Sequence, residues 1–168
     1  MELQALTAIS PIDGRYRPQL QQLDEYFSEY ALMKYRVLVE IEYFLFLADN
    51  RFFKLPAKAR TFLLQAASEF SPADALHIKE TEKITNHDVK AVEYFIKEKL
   101  DQCDIGHLKE WVHFGLTSQD INNTSIPLSW KHAVEFEYLP ALLNLNTEFK
   151  VLANNWRNIT LLARTHGQ

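Results

Sequence analysis

From Leu23 to Phe53 the chain contains neither glycine nor proline, and from Ser118 to Trp156 it contains no glycine. Long stretches without these residues, rich in leucine, aromatic and charged side chains, favour helices over turns or sheets. Leu32, Tyr35, Val39, Tyr43, Phe46 and Leu47 form a broad apolar face, so the first stretch predicts one long helix. In the second, Leu128, Val134, Leu142, Leu145, Phe149, Leu152 and Trp156 suit a helix buried in a bundle. Pro127 and Pro140 interrupt it. An interior proline loses a ladder bond and clashes with the preceding turn, at a cost of about 3 kcal/mol, so the expectation is a kinked helix or two end to end. No alternating segment predicts a strand, and no repeat or low-complexity linker is present. The predicted class is all-α.

Helix starts are marked as clearly as helix bodies. After a break at Lys54 and Pro56, a shorter helix is predicted from Ala57 to about Glu69. Ser71-Pro72-Ala73-Asp74 then gives an N-cap, a proline at N1 and an acid at N3. Thr85 and Asp88 have the same spacing, ahead of Val89, Val92, Ile96 and Leu100 at helical intervals. That helix should run to about Cys103, with Gly106 in a turn. Thr117 and Asp120 repeat the pattern a third time. The Ser71 signal carries nothing chemical, so such a cap predicts a helix and not a site. The run from Thr85 differs because it adds Asn86, His87, Asp88 and Lys90 where free N–H groups and the positive end of the helix dipole point outward. A capped helix with His87 and Lys90 facing solvent is the plainer alternative.

Composition narrows the function classes. The chain has 168 residues, 47% hydrophobic and 24% charged, which is ordinary for a globular protein. No apolar run is long enough to span a membrane, and the start lacks the pattern of a signal peptide. The single cysteine, Cys103, cannot form an internal disulfide and reads as a core residue, which fits a cytoplasmic setting. A formal net charge of −4 without a basic tract argues against nucleic acid as a partner. No Cys, His, Asp or Glu spacing suggests a metal site, and no cofactor is expected.

Four ordered segments carry a family resemblance. Ser10-Pro11-Ile12-Asp13-Gly14-Arg15-Tyr16 is similar to an N-terminal SPxDGRY segment. Asn86-His87-Asp88, followed by Val89-Lys90-Ala91-Val92-Glu93-Tyr94, resembles a substrate-binding segment. His113 to Asn123 contains a T-S-x-D-I-x-N run, and Arg164-Thr165-His166-Gly167-Gln168 resembles an R-T-H-G-Q segment. Together they resemble the adenylosuccinate lyases of the fumarase/aspartase superfamily. The resemblance implies a helical N-terminal domain over residues 1–110, followed over 111–168 by the start of a central helical bundle. It also implies that the family's chains continue well past this point. In the family, four subunits build one bundle, a homotetramer, and each active site draws on three of them. The family's catalytic base is a serine in a loop with the signature S-S-x-M-P-x-K-x-N-P, which does not occur here. The 168 residues alone are therefore expected to be inactive and to self-associate through the apolar stripe from Leu128 to Trp156.

The implied reaction is a β-elimination that releases fumarate from adenylosuccinate, giving AMP, or from succinyl-aminoimidazole carboxamide ribotide. It needs a base for the carbon-bound proton, donors for the aci-carboxylate, and an acid for the departing nitrogen. The resemblance makes His166 the general acid and His87 a possible second catalytic histidine. It makes Arg15, Tyr16, Asn86, His87, Asp88, Thr117 and Ser118 contacts to a small nucleotide substrate. Each also has a structural reading: an arm residue for Arg15, caps for Asp88, Thr117 and Ser118, a loop histidine for His166. His77, His107, His113 and His132 read as structural. Two alternatives stand beside this one. The chain could belong to another lyase of the superfamily, such as argininosuccinate lyase or fumarase, or to a noncatalytic helical interaction module.

Overall fold

The structure is a computed structural model and describes residues 10–160; His166 and the rest of its segment lie outside them. Among the described residues there is no strand. The chain divides into two compact units, Met1–Lys131 and His132–Gln168.

In the first unit, short 3-10 turns at Arg17–Gln19 and Gln21–Leu23 lead into α1 (Asp24–Phe27) and α2 (Glu29–Asp49). The single helix expected from Leu23 is thus broken at Ser28. Its backbone is extended there, and its side chain accepts from the Ala31 N–H at 3.1 Å, so a serine N-cap restarts the helix. Helices α3 (Ala57–Ser68), α4 (Pro72–Thr85) and α5 (Asp88–Gln102) follow, then a 3-10 segment, Gly106–Trp111, and α6 (Ser118–Ala133). The Ser71 capping box forms as the spacing predicts: Asp74 N–H donates to Ser71 Oγ, and the Ser71 N–H donates back to Asp74 Oδ2.

Helix α2 is the hub, packed against α3, α4 and α5. Its core face is Val37, Ile41, Phe44 and Leu45, whereas Phe46, expected inside, is 57% exposed. Apolar residues surround α2 on nearly every side, so spacing alone did not single out the face that its neighbours cover. On α5 the stripe is where its spacing predicts: Val89, Val92, Ile96 and Leu100 are all fully buried. Cys103 packs against this core, and burial pushes its thiol above the ordinary range, as suits an unreactive side chain. On α6, Ile121, Ser125 and Ser129 share a buried stripe. Ser129 donates to the Tyr26 carbonyl, and Trp130 meets Phe27 with ring centroids 4.8 Å apart, so α1 closes on the small serines of α6.

Helix α6 runs through Pro127 without ending. In the second unit a π-helical turn, Val134–Tyr138, precedes α7 (Leu139–Trp156). There the Leu139 N–H reaches back five residues to the Val134 carbonyl. The widened turn falls just ahead of Pro140, whose missing N–H and bulky ring disrupt the ordinary four-residue ladder. Of the two forms expected, the chain takes the second: two α-helices end to end, with a π turn between them. On α7, Leu142, Leu145, Phe149 and Trp156 are exposed. No described helix is long and apolar enough to cross a membrane.

Candidate functional site

The turn between α4 and α5 places Asn86, His87 and Asp88, but not by the cap the spacing suggested. Thr85 is the last residue of α4 and not the N-cap of α5. Asn86 closes α4 in the left-handed conformation (φ 50°), and its N–H donates to the Glu82 carbonyl at 2.8 Å. Asparagine tolerates this backbone better than most residues, which explains an amide at the corner. His87 is then the N-cap of α5, with extended backbone. Its Nδ1 accepts from the Lys90 N–H at 3.2 Å. Threonine at 85 was the natural guess for a cap. An imidazole nitrogen can do the same work, and the left-handed residue shifts the helix start by two positions. Thr85 Oγ1 instead bridges the corner, accepting from the His87 N–H and donating to its carbonyl.

The cap fixes the chemistry of the ring. Since Nδ1 accepts a backbone N–H, the neutral imidazole carries its proton on Nε2. That nitrogen lies 3.3 Å from Ser118 Oγ at the head of α6. His87 and Ser118 are thus brought together from segments 31 residues apart. Thr117, just before Ser118, donates from its N–H (2.7 Å) and its hydroxyl (2.8 Å) to Asp120 Oδ2. These bonds hold the Asp120 carboxyl below the usual carboxylate range. Two helix starts, with their positive dipole ends, therefore meet at one exposed place. An imidazole N–H and a hydroxyl there, at two helix N-termini, suit a ligand that accepts hydrogen bonds.

Asp88 begins α5. Partial burial pushes its carboxyl up, but the Val89 N–H (2.8 Å) and the Arg36 guanidinium (2.7 Å) outweigh that and leave it below the ordinary value. Arg15 and Tyr16 lie exposed in the turn before Arg17, with the guanidinium 5.5 Å from the centre of the Tyr16 ring. Among the described residues no hydrogen bond or ion pair joins either of them to His87, Asp88 or Ser118. His166 lies outside the described residues. No cluster of three or more metal-ligating side chains occurs among the described residues.

Two residues outside the motifs, Arg36 and Glu40, lie beside this site or are linked to it, and His113 joins them. Arg36 on α2 contacts both Asp88 and Asn122. Glu40, also on α2, is fully buried and pairs through Oε1 with His113 Nδ1 at 2.5 Å, while its Oε2 has no hydrogen-bond partner among the described residues. Burial raises the Glu40 carboxyl, and the bond to His113 pulls it back only in part. His113 Nε2 faces Glu93 at 4.0 Å, and Glu93 in turn holds Lys90 at 2.6 Å. His113, expected to be structural, occupies a left-handed backbone position (φ 60°) to reach this place. A charged residue in the middle of an apolar helix, as Arg36 and Glu40 are, was the available signal.

Residues 14–168 match the family described as lyase, and the chain belongs to that family. Over its whole length it is similar to the adenylosuccinate lyases of Dictyostelium discoideum, 52% identical, and of Vibrio cholerae serotype O1, 49% identical. It is 46% identical to that of Escherichia coli strain K12. All of this chain is covered in each case, and it spans 38% of the length of each relative.

Proposed function

We propose that the protein is an adenylosuccinate lyase and that these residues supply the substrate-binding and proton-donating side of its site. The observation that carries this reading is the meeting of His87 with Ser118 at two helix starts, within a chain similar throughout to enzymes of that name. In the proposed reaction a base removes the proton on the carbon next to a substrate carboxylate. The C–N bond then breaks, the carbons keep the double bond as fumarate, and the nitrogen leaves protonated. AMP is the other product, or aminoimidazole carboxamide ribotide from the second substrate. His166 gives the proton to the nitrogen, and His87, with its proton on Nε2, orients the substrate. Ser118 donates to a carboxylate or phosphate, Thr117, whose N–H and hydroxyl hold Asp120, contacts the substrate next to it, Asn86 and Asp88 contact the substrate beside them, and Arg15 and Tyr16 hold the phosphate end. A homotetramer in the cytoplasm would cover the exposed apolar residues of α7, and residues beyond 110 begin its central bundle. The test is fumarate release from adenylosuccinate by the full-length protein. Turnover of argininosuccinate or malate instead would refute the reading.

Arg15 gives a finer check. Arg15→Ala in the full-length protein should weaken AMP binding by about 1.5–3 kcal/mol, the range for hydrogen bonds to a charged group. Arg15→Lys should restore only part of it, because the planar fork is lost. Calorimetric titration with AMP measures both; parent-like affinity in both variants would remove Arg15 from the site.

A further inference from the structure

The Nδ1 atom of His87 faces two conflicting demands. The Lys90 N–H donates to it at 3.2 Å and needs it bare. The Asp88 carboxylate oxygen Oδ1 lies 3.7 Å away and favours a proton on it. A proton on Nδ1 would set donor against donor at Lys90, open the cap of α5, and free Nε2 to lose its own proton. Asp88, however, is not free to pull. Its Oδ1 accepts from the Val89 N–H at 2.8 Å, and its Oδ2 pairs with Arg36 Nη2 at 2.7 Å.

Arg36 is well placed to impose this. Its side chain is only 8% exposed, so its charge is poorly screened by water. A buried guanidinium persists only where its N–H groups are matched. One side of the fork takes Asp88, and Nε donates to Asn122 Oδ1 on α6 at 3.0 Å. One side chain of α2 thereby ties the first turn of α5 to the first turns of α6, the two elements that carry His87 and Ser118. The other charged groups nearby are already engaged: Lys90 with Glu93, and Asp120 with Thr117.

We propose that Arg36 is a positioning residue that holds the Asp88 carboxylate off His87 and so keeps the imidazole in its Nε2–H tautomer, aimed at Ser118. Its effect on turnover rests on the function proposed above; its effect on the ring does not.

The test uses the full-length protein labelled with 15N-histidine. Ring-nitrogen shifts report which nitrogen is protonated, and loss of a signal in H87N assigns the residue. The parent should show Nε2–H at His87. R36Q should move the ring toward Nδ1–H, and adding D88N to R36Q should return it to the parent pattern. If R36Q does not fold, R36K carries the same test, with a partial shift expected because a single ammonium cannot serve both Asp88 and Asn122. In turnover, R36Q should lose roughly tenfold or more in kcat/KM, as a misplaced group does. Its loss and that of D88N should fail to add. A parent-like ring in a folded R36 variant overturns the proposal, and so do losses from R36Q and D88N that multiply. The ring spectra judge Arg36 and fumarate release judges the proposed activity, so the two failures are distinguishable.

Discussion

Replacing His87 by asparagine in the full-length protein is expected to lower kcat by about 10²-fold or more while leaving the fold intact, the usual scale for a positioned proton-bearing group. Asparagine is among the best N-cap residues, so it can take over the bond from the Lys90 N–H that His87 Nδ1 now accepts. It cannot supply the imidazole N–H that faces Ser118 at 3.3 Å. His87→Ala loses both, and should add about 1 kcal/mol of instability to the same kinetic loss. Steady-state kinetics with thermal unfolding on both variants separates the two roles. If H87N turns over like the parent, His87 is a cap and nothing more.

His113→Leu should lower stability by about 3–5 kcal/mol, because it leaves the Glu40 carboxyl buried without its partner. The pH dependence has a definite sign. A carboxyl raised in the folded state binds its proton more tightly there than in the unfolded chain. It therefore favours folding most below the usual carboxylate range, and that contribution is lost as pH rises through the raised value. Without His113 the carboxyl is raised further, so the H113L loss should be larger at about pH 8 than at about pH 5. Adding Glu40→Gln should recover part of it, since an amide can be buried at less cost than an unpaired charge. Urea unfolding at both pH values measures this. A loss under about 1 kcal/mol, flat with pH, would mean that water reaches the pair.

What the sequence made legible follows from what local chemistry decides. The all-α class, the Ser71 capping box and the buried stripe of α5 depend on neighbours three and four residues away, and all appear where spacing placed them. The cap of α5 was misplaced because Thr85 and His87 can both accept an N–H, and only the left-handed turn at Asn86 decides between them. Ser28 was overlooked because a serine inside a helical run gives no sign that the backbone there is extended. The motifs draw attention to Asn86, His87, Asp88, Thr117 and Ser118, and the fold brings His87 and Ser118 of these within 3.3 Å. Arg36 and Glu40 were not legible, since their partners Asp88, Asn122 and His113 lie tens of residues away and become neighbours only when α2 packs. Arg15 and Tyr16 are legible as a motif, yet among the described residues no hydrogen bond or ion pair draws them to His87.

The caps of α5 and α6 have a consequence for motion. The Lys90 amide is held by the His87 ring, and the Thr117 amide by the Asp120 carboxylate. Neither bond belongs to a helical ladder, so each amide exchanges its hydrogen with solvent on the opening of one side chain and not on the unfolding of a helix. Two backbone amides are thereby built-in clocks of side-chain order at the meeting place of α5 and α6. A ligand that steadies the imidazole slows one of them, and a ligand that competes for the carboxylate quickens the other. The same two atoms that close the helices record, in their exchange rates, which side of the site has been occupied.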